Sequence, residues 1–109
     1  MARHYLQAGA AAAQALGQQI AIARREQRRT ATEVAERADV TRVTLRRVER
    51  GDPNVAIGIY FEVATILSVP LFGREGRDLA ELVARGAREL ALLPARVRRT
   101  SRDEFDDDF

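Results

Sequence analysis

Six side chains between residues 41 and 47 have the chemistry to contact nucleic acid: three arginines, two threonines and a valine, namely Thr41, Arg42, Val43, Thr44, Arg46 and Arg47. A guanidinium group donates paired hydrogen bonds to guanine O6 and N7 or to a phosphate. Threonine hydroxyls donate to the nucleic-acid backbone, and an exposed Val43 on a charged face would contact a thymine methyl group. The grouping predicts a DNA-contacting surface, and an ordinary charged, solvated face remains the alternative.

The spacing of the apolar residues predicts that these side chains lie on a short helix. Thr41 is a suitable N-cap, and Leu45 and Val48 recur three residues apart on the inward side. Gly51 is a typical helix stop. The arginines and Val43 are therefore expected on the outer face, with Arg42 in the first turn.

A second short helix is predicted directly before this one. Residues 30–33, Thr-Ala-Thr-Glu, form a capping box, in which the Thr30 hydroxyl accepts from the Glu33 N–H and the Glu33 carboxylate returns to the Thr30 N–H. A narrow apolar seam follows at Val34, Ala35 and Ala38. Asp39 tolerates the left-handed backbone needed to reverse the chain, and Val40 packs back into the angle. The pattern is helix, tight turn, helix.

The stretch TATEVAERADVTRVTLRRVERG, residues 30–51, resembles the helix-turn-helix of Xre/Cro-type phage-repressor domains. The resemblance implies an all-α, lambda-repressor-like five-helix DNA-binding domain, followed here by an extra C-terminal helix and a short arm or tail. It also implies that the second helix enters the major groove. The segments GDPNV, residues 51–55, and LPARVR, residues 93–98, resemble HipB-like antitoxin regulators that are paired with HipA-like kinase toxins.

The resemblance also implies roles for individual residues. Arg24 matches an arginine that forms a structural ion pair with the glutamate near the end of the recognition helix, here Glu49. The residue opening the first helix of the motif is often a phosphate-contacting glutamine in phage repressors, but here it is Ala31. Phosphate contacts from this helix are therefore expected from Thr30, Thr32 or backbone N–H groups.

Three regions are predicted along the chain: a DNA-binding domain at 13–70, a C-terminal helical segment at 71–94, and a basic-then-acidic arm at 95–109. The first helix follows the spacing of Ala13, Leu16, Ile20 and Ala23 and ends near residues 27–29. Residues 1–12 either extend this helix or stay frayed.

Two further helical segments follow the motif. The first covers about 56–67, and Tyr60 and Phe61 within it are assigned to the core by default. The second covers about 74–92 and is interrupted by Gly86, which costs about 1 kcal/mol against alanine in a helix interior, so two short helices are expected. Its apolar face either forms a subunit interface or packs on its own domain.

The C-terminal arm begins with Arg96 to Arg99, for which a short strand or an extended arm is expected. Residues 103–109 carry five acids and no base. Phe105 and Phe109 among these acids suggest anchors for a basic groove on a partner, and a solvated tail without a partner is equally open.

Composition restricts the function classes. The 109-residue chain is long enough for a modest helical core, and it contains no cysteine and one histidine, so neither a disulfide nor a metal site is expected. His4 is assigned no role. Without a glycine-rich phosphate loop or paired carboxylates, no enzyme and no cofactor are predicted. Residues 8–13 are too short an apolar run for a membrane span, so a cytoplasmic location is the default.

Charge favours a nucleic-acid binder. Residues 1–50 carry ten arginines and five acids, and all eighteen basic residues of the chain are arginine, although a GC-rich genome would also explain that usage. We therefore expect a homodimeric repressor that binds an inverted-repeat operator in double-stranded DNA. The resemblance implies that it also neutralises a HipA-like kinase and regulates their shared operon. The alternative is a stand-alone Xre-family regulator, and a repressor that senses a small molecule ranks below both.

Overall fold

The computed structural model describes residues 4–97 and residue 99 of the chain. Its helices, in chain order, are α1 Gln7–Glu26, α2 Ala31–Arg37, α3 Arg42–Glu49, α4 Ile57–Ile66 and α5 Gly76–Ala91. The described residues contain no strand, and an isolated bridge joins Leu71 and Arg74. The predicted all-α class is confirmed, and the C-terminal helix is itself the fifth helix.

Helix α1 begins at Gln7, so residues 7–12 extend the helix beyond the apolar pattern that starts at Ala13. Alanine at positions 8 and 10–12 explains this extension, because alanine has the highest intrinsic helix propensity. The helix ends at Glu26, and Arg28 just beyond it has a left-handed backbone with a φ of 56°. The predicted end near residues 27–29 therefore lies just beyond the observed end of α1 at Glu26.

The core lies among α1 to α4. Its fully buried large side chains are Ile20, Val34, Leu45, Val48, Val63 and Leu67. Tyr60 is also buried and Phe61 packs partly against the core, so the default assignment of both aromatic residues to the core is confirmed. Val34 and Ala35 give α2 its apolar seam, while Leu45 and Val48 attach α3 to the same core.

The turn after α1 closes the end of α4 with hydrogen bonds. Gln27 Nε2 donates to the Leu67 carbonyl at 2.8 Å, and an Arg29 terminal nitrogen donates to the Ile66 carbonyl at 3.2 Å. The last carbonyls of a helix have no partner within the helix, so these side chains supply acceptors with the donors they lack. The turn thereby fixes the ends of α1 and α4 against each other.

Helix α5 is continuous through Gly86, so the expected break into two short helices is wrong. The penalty for one glycine is about 1 kcal/mol, and good helix formers at Ala84, Ala87 and Arg88 surround it. None of the residues of α5 is buried. Residues 96, 97 and 99 carry no strand, and Arg98 lies outside the described residues.

The chain divides into two compact units, with the boundary between Leu79 and Ala80. The first unit contains α1 to α4 and the core. The second contains most of α5 and the residues that follow it.

Candidate nucleic-acid interface

Helices α2 and α3 are each fixed at their first turn by a threonine cap. The Thr30 hydroxyl accepts from the Glu33 N–H at 3.1 Å, and the Thr41 hydroxyl accepts from the Thr44 N–H at 3.0 Å. Only half of the predicted capping box forms, because the Glu33 carboxylate accepts from Arg29 Nε at 3.1 Å instead of returning to Thr30. Because the Thr41 cap holds the first turn of α3, the start of this helix is fixed, which suits a surface that must match a groove.

The turn between the two helices has the backbone that the sequence predicts. Asp39 has a φ of 57°, in the left-handed region. The Val40 N–H donates to the Ala35 carbonyl at 3.0 Å, and Val40 itself packs against the core. This turn holds α3 at a defined angle to α2.

Helix α3 has an apolar inner face and a basic outer face. Leu45 and Val48 are buried, whereas Arg42 and Arg46 are exposed and Val43 leaves 63% of its surface open to solvent. An apolar side chain this exposed, between two arginines, has no core to contact. It is available to a thymine methyl group or another apolar partner.

Two predicted contact residues on α3 have partners within the protein. The Thr41 hydroxyl donates to the Thr44 hydroxyl at 3.1 Å, and Thr44 is half-buried. Arg47 is also half-buried, and its Nε donates to Asp52 Oδ2 at 2.8 Å. These residues lie beside the exposed face and are more constrained than Arg42 or Arg46.

Arg50 joins the same face, although it was absent from the predicted set. It caps the C-terminus of α3, is exposed, and lies seven residues after Val43, which is two helical turns further along the same side. Its spacing was the signal that could have identified it. The exposed arginines of this face are therefore Arg42, Arg46 and Arg50.

Helix α2 supplies fewer of the predicted contact residues to this candidate interface than α3 does. Thr32 is exposed in the first turn, while the Thr30 oxygen is occupied by its capping hydrogen bond. Ala31, which replaces the usual glutamine, packs partly against the core. The polar groups that this helix has for a phosphate contact at its start are the Thr32 and Thr30 hydroxyls and the backbone N–H groups.

An ion pair connects α1 to the end of α3. Arg24 Nε donates to Glu49 Oε2 at 2.6 Å, a terminal nitrogen of Arg24 donates to Glu49 Oε1 at 3.0 Å, and the other donates to the Arg29 carbonyl at 3.0 Å. The hydrogen bonds to Glu49 raise the pKa of Arg24, so its guanidinium group stays charged. Its position matches the one implied by the resemblance, and its role here is to fix the orientation of α3.

A close approach of two backbones also fixes α3, and sequence patterns did not indicate it. A Cβ at Gly17 in α1 would overlap the Val48 carbonyl oxygen and lie 2.8 Å from the Gly51 nitrogen. A Cβ at Gly51, whose φ is 75°, would overlap the backbone of Gln14. Glycine at both positions therefore lets the end of α3 lie directly on α1.

Three residues discussed in the sequence analysis lie at or beyond the ends of the described chain. His4 is exposed near the start of the described chain, and Phe105 and Phe109 lie outside the described residues. In the part of the chain that the structure describes, no three His, Asp or Glu side chains are grouped as metal ligands. No helix among the described residues combines the length and apolarity needed to cross a bilayer.

Comparison with known families agrees with this geometry. The helix-turn-helix domain family matches residues 15–70, just over half of the chain. The chain belongs to the helix-turn-helix family. The match spans α2, the turn and α3 together with most of α1 and all of α4, so the fold is the lambda-repressor-like class predicted from the sequence. No curated protein and no solved structure matches the chain.

Proposed function

We propose that this helix-turn-helix protein is a sequence-specific DNA-binding transcriptional repressor. The observation that carries the proposal is the outer face of α3, where exposed arginines surround the exposed Val43 on a helix capped rigidly at Thr41. In this proposal the first turn of α3 enters the major groove, and Arg42 donates to a guanine edge. Arg46 contacts a base or the adjacent phosphate, as does Arg47, and Thr30, Thr32, Thr41 and Thr44 contribute backbone contacts.

Selection from a random duplex library, followed by titration at several salt concentrations, tests this function. We expect enrichment of one inverted repeat, with half-sites about one helical turn, ~34 Å, apart. The logarithm of the association constant should fall steeply with the logarithm of salt, since each neutralised phosphate adds about −0.9 to the slope. Failure to enrich any sequence would overturn the proposal.

The inverted repeat requires a dimer, and we propose that α5 pairs with α5 of a second copy. Val83 and Leu90 on this helix are each 72% exposed, and together with Leu82 they recur at helical spacing along one side, beyond Leu79, which packs partly against the core. Such a stripe on a helix without buried residues needs a partner.

Charge favours an antiparallel pairing of the two copies. The stretch 75–84 carries three acids and one arginine, whereas 85–91 carries two arginines and one acid. An antiparallel arrangement brings the acidic half of one helix against the basic half of the other at both ends, which a parallel arrangement does not.

Sedimentation of the full chain tests the pairing. Val83→Glu and Leu90→Glu place a carboxylate in the stripe and should convert the dimer to a monomer. Ala84→Glu, an exposed substitution on the other side of the same helix, should leave the dimer intact. A dimer that survives both stripe variants excludes α5 as the interface, and a monomeric wild type excludes the dimer.

We further propose that the protein is the antitoxin of a HipBA-like type II toxin-antitoxin system, which neutralises a HipA-like kinase and regulates their shared operon. Support comes from the resemblance of residues 51–55 and 93–98 to HipB-like regulators and from the acidic segment with Phe105 and Phe109. Acids spaced with aromatic residues suit a basic groove on a partner.

A kinase gene beside this one would supply the protein for the test. We expect the purified kinase to bind the full chain and to bind less tightly after removal of residues 101–109 or after Phe105→Ala with Phe109→Ala. DNA binding should be almost unchanged in both variants. If no neighbouring kinase binds, the protein is the alternative, a stand-alone Xre-family regulator.

A further inference from the structure

The arginine at the end of α3 is held by an acid in the following loop. Arg47 uses Nε to donate to Asp52 Oδ2 at 2.8 Å, and the Asp52 N–H donates to the Arg47 carbonyl at 3.0 Å. The Arg47 side chain remains 38% exposed, and its two terminal nitrogens have no hydrogen-bond partner among the described residues. Arg47 is therefore fixed through one nitrogen, while the other two remain available as donors.

Asp52 is itself fixed by hydrogen bonds from Asn54 and Tyr60, and Asn54 in turn accepts one from Tyr5. Its Oδ1 accepts from the Asn54 N–H at 2.9 Å, and its carbonyl accepts from the buried Tyr60 hydroxyl at 2.7 Å. The Tyr5 hydroxyl, ahead of α1, donates to Asn54 Oδ1 at 3.0 Å. The loop after α3 is thus held from α4 and from the chain before α1, so the carboxylate has one orientation.

The carboxylate is charged at any pH at which DNA binding would be measured. Hydrogen bonds from the Asn54 N–H and from Arg47 hold the pKa of Asp52 below its ordinary value of 3.8. A negative charge beside a DNA-binding face weakens the attraction for phosphate. The Asp52 charge beside Arg47 therefore lowers the affinity for DNA of any sequence. A separate benefit of Asp52 to binding is needed to offset this loss.

Pre-orientation supplies that benefit. A free arginine loses several rotatable bonds when it contacts DNA, whereas one already held through Nε presents its terminal nitrogens in a fixed direction. We infer that Asp52 is a positioning residue, which orients Arg47 so that the arginine contacts one base of the preferred site. The inference rests on the proposed DNA-binding function and assigns Asp52 to selectivity, with a cost in general affinity.

The test compares binding of the full chain to two fluorescent duplexes, one enriched by the wild type and one of the same composition in shuffled order. Asp52→Asn removes the charge but keeps an oxygen that can accept from the Asn54 N–H, and Asp52→Ser keeps a hydroxyl for the same bond. Glu62→Gln, an exposed acid on α4, is the control that removes the same charge elsewhere in the unit. Thermal unfolding of each variant checks that it is folded.

We expect Asp52→Asn and Asp52→Ser to bind the shuffled duplex more tightly than the wild type does. The ratio of the affinity for the enriched duplex to that for the shuffled duplex should fall about tenfold, the contribution of one well-oriented arginine contact. Glu62→Gln should keep the ratio. Arg47→Lys should lower this affinity ratio as the Asp52 variants do, because an ammonium group lacks the planar, forked set of donors that lets arginine bond to Asp52 and to DNA at the same time. Adding Asp52→Asn to Arg47→Lys should cause no further loss.

Two results distinguish the possible failures. A wild type with equal affinity for both duplexes overturns the proposed function itself. A wild type that discriminates, with Asp52 variants that keep the ratio while Arg47→Lys loses it, overturns the positioning role alone. Equal loss of affinity for both duplexes in the Asp52 variants also overturns it, since that result indicates a structural role.

Discussion

Removal of Arg24 should destabilise the protein strongly. The Arg24 and Glu49 side chains are only 15% and 13% exposed, and Arg24→Ala leaves the Glu49 carboxylate without its two hydrogen bonds. Breaking a buried ion pair from one side costs about 3–5 kcal/mol, and the remaining exposure of both groups places this pair near the lower end. We therefore expect a loss of about 3 kcal/mol in the free energy of unfolding in urea.

A double variant distinguishes the effect of the charges from the effect of the volume that the two side chains fill. Replacing both residues, Arg24→Met with Glu49→Leu, should return the free energy of unfolding to within about 1 kcal/mol of the wild type, because no uncompensated charge remains. Glu33→Gln breaks the Arg29 pair, whose carboxylate is 53% exposed, and should cost less than about 1 kcal/mol.

The same variants test the structural role of the pair. Under conditions where Arg24→Ala is folded, it should bind DNA more weakly than the wild type, since α3 has lost the ion pair that orients it. A decrease of less than about 1 kcal/mol in the free energy of unfolding of Arg24→Ala would refute this account. A double variant that is as unstable as Arg24→Ala would also refute it.

Two further predictions concern the contacts around the end of α3. Gly17→Ala should destabilise the protein by about 2 kcal/mol or more, because its Cβ meets the Gly51 backbone. Gly9→Ala in the same helix has open space around its Cβ and should stabilise the protein by up to about 1 kcal/mol. Equal effects of the two substitutions on urea unfolding would contradict the close approach of α1 and the end of α3. The pKa of Asp52 is lower in the folded state than its ordinary 3.8, so its stabilisation should be full above about pH 5 and decrease as pH falls through the folded pKa. The difference in unfolding free energy between wild type and Asp52→Asn should follow that decrease, and a difference that stays constant down to about pH 2 would exclude it.

The parts of the fold that were predictable depend on local chemistry. The caps at Thr30 and Thr41, the left-handed backbone at Asp39 and the stop at Gly51 each follow from one residue type and its near neighbours. The family match then covers most of α1 and all of α2 to α4. Local preference was a poor guide at Gly86, where one unfavourable residue was too small a penalty to end α5.

The unpredicted features depend on contacts between residues distant in sequence. The hydroxyl of Tyr5 meets a loop 49 residues away at Asn54, and Gly17 matters only because α3 ends against α1. The Arg47–Asp52 pair crosses the end of a helix, where helical spacing rules no longer apply. None of these pairs leaves a periodic pattern in a single sequence.

The most direct test of the account is a fluorescence-anisotropy titration of the full chain with the DNA upstream of its own gene. Arg42→Ala and Arg47→Ala are measured beside Arg25→Ala, an exposed arginine on α1, as the control. We predict that the α3 variants lose about 1–3 kcal/mol of binding free energy with weaker base preference, while the control binds like the wild type. Wild-type affinity and base preference in both α3 variants would contradict the assignment of α3 to DNA recognition.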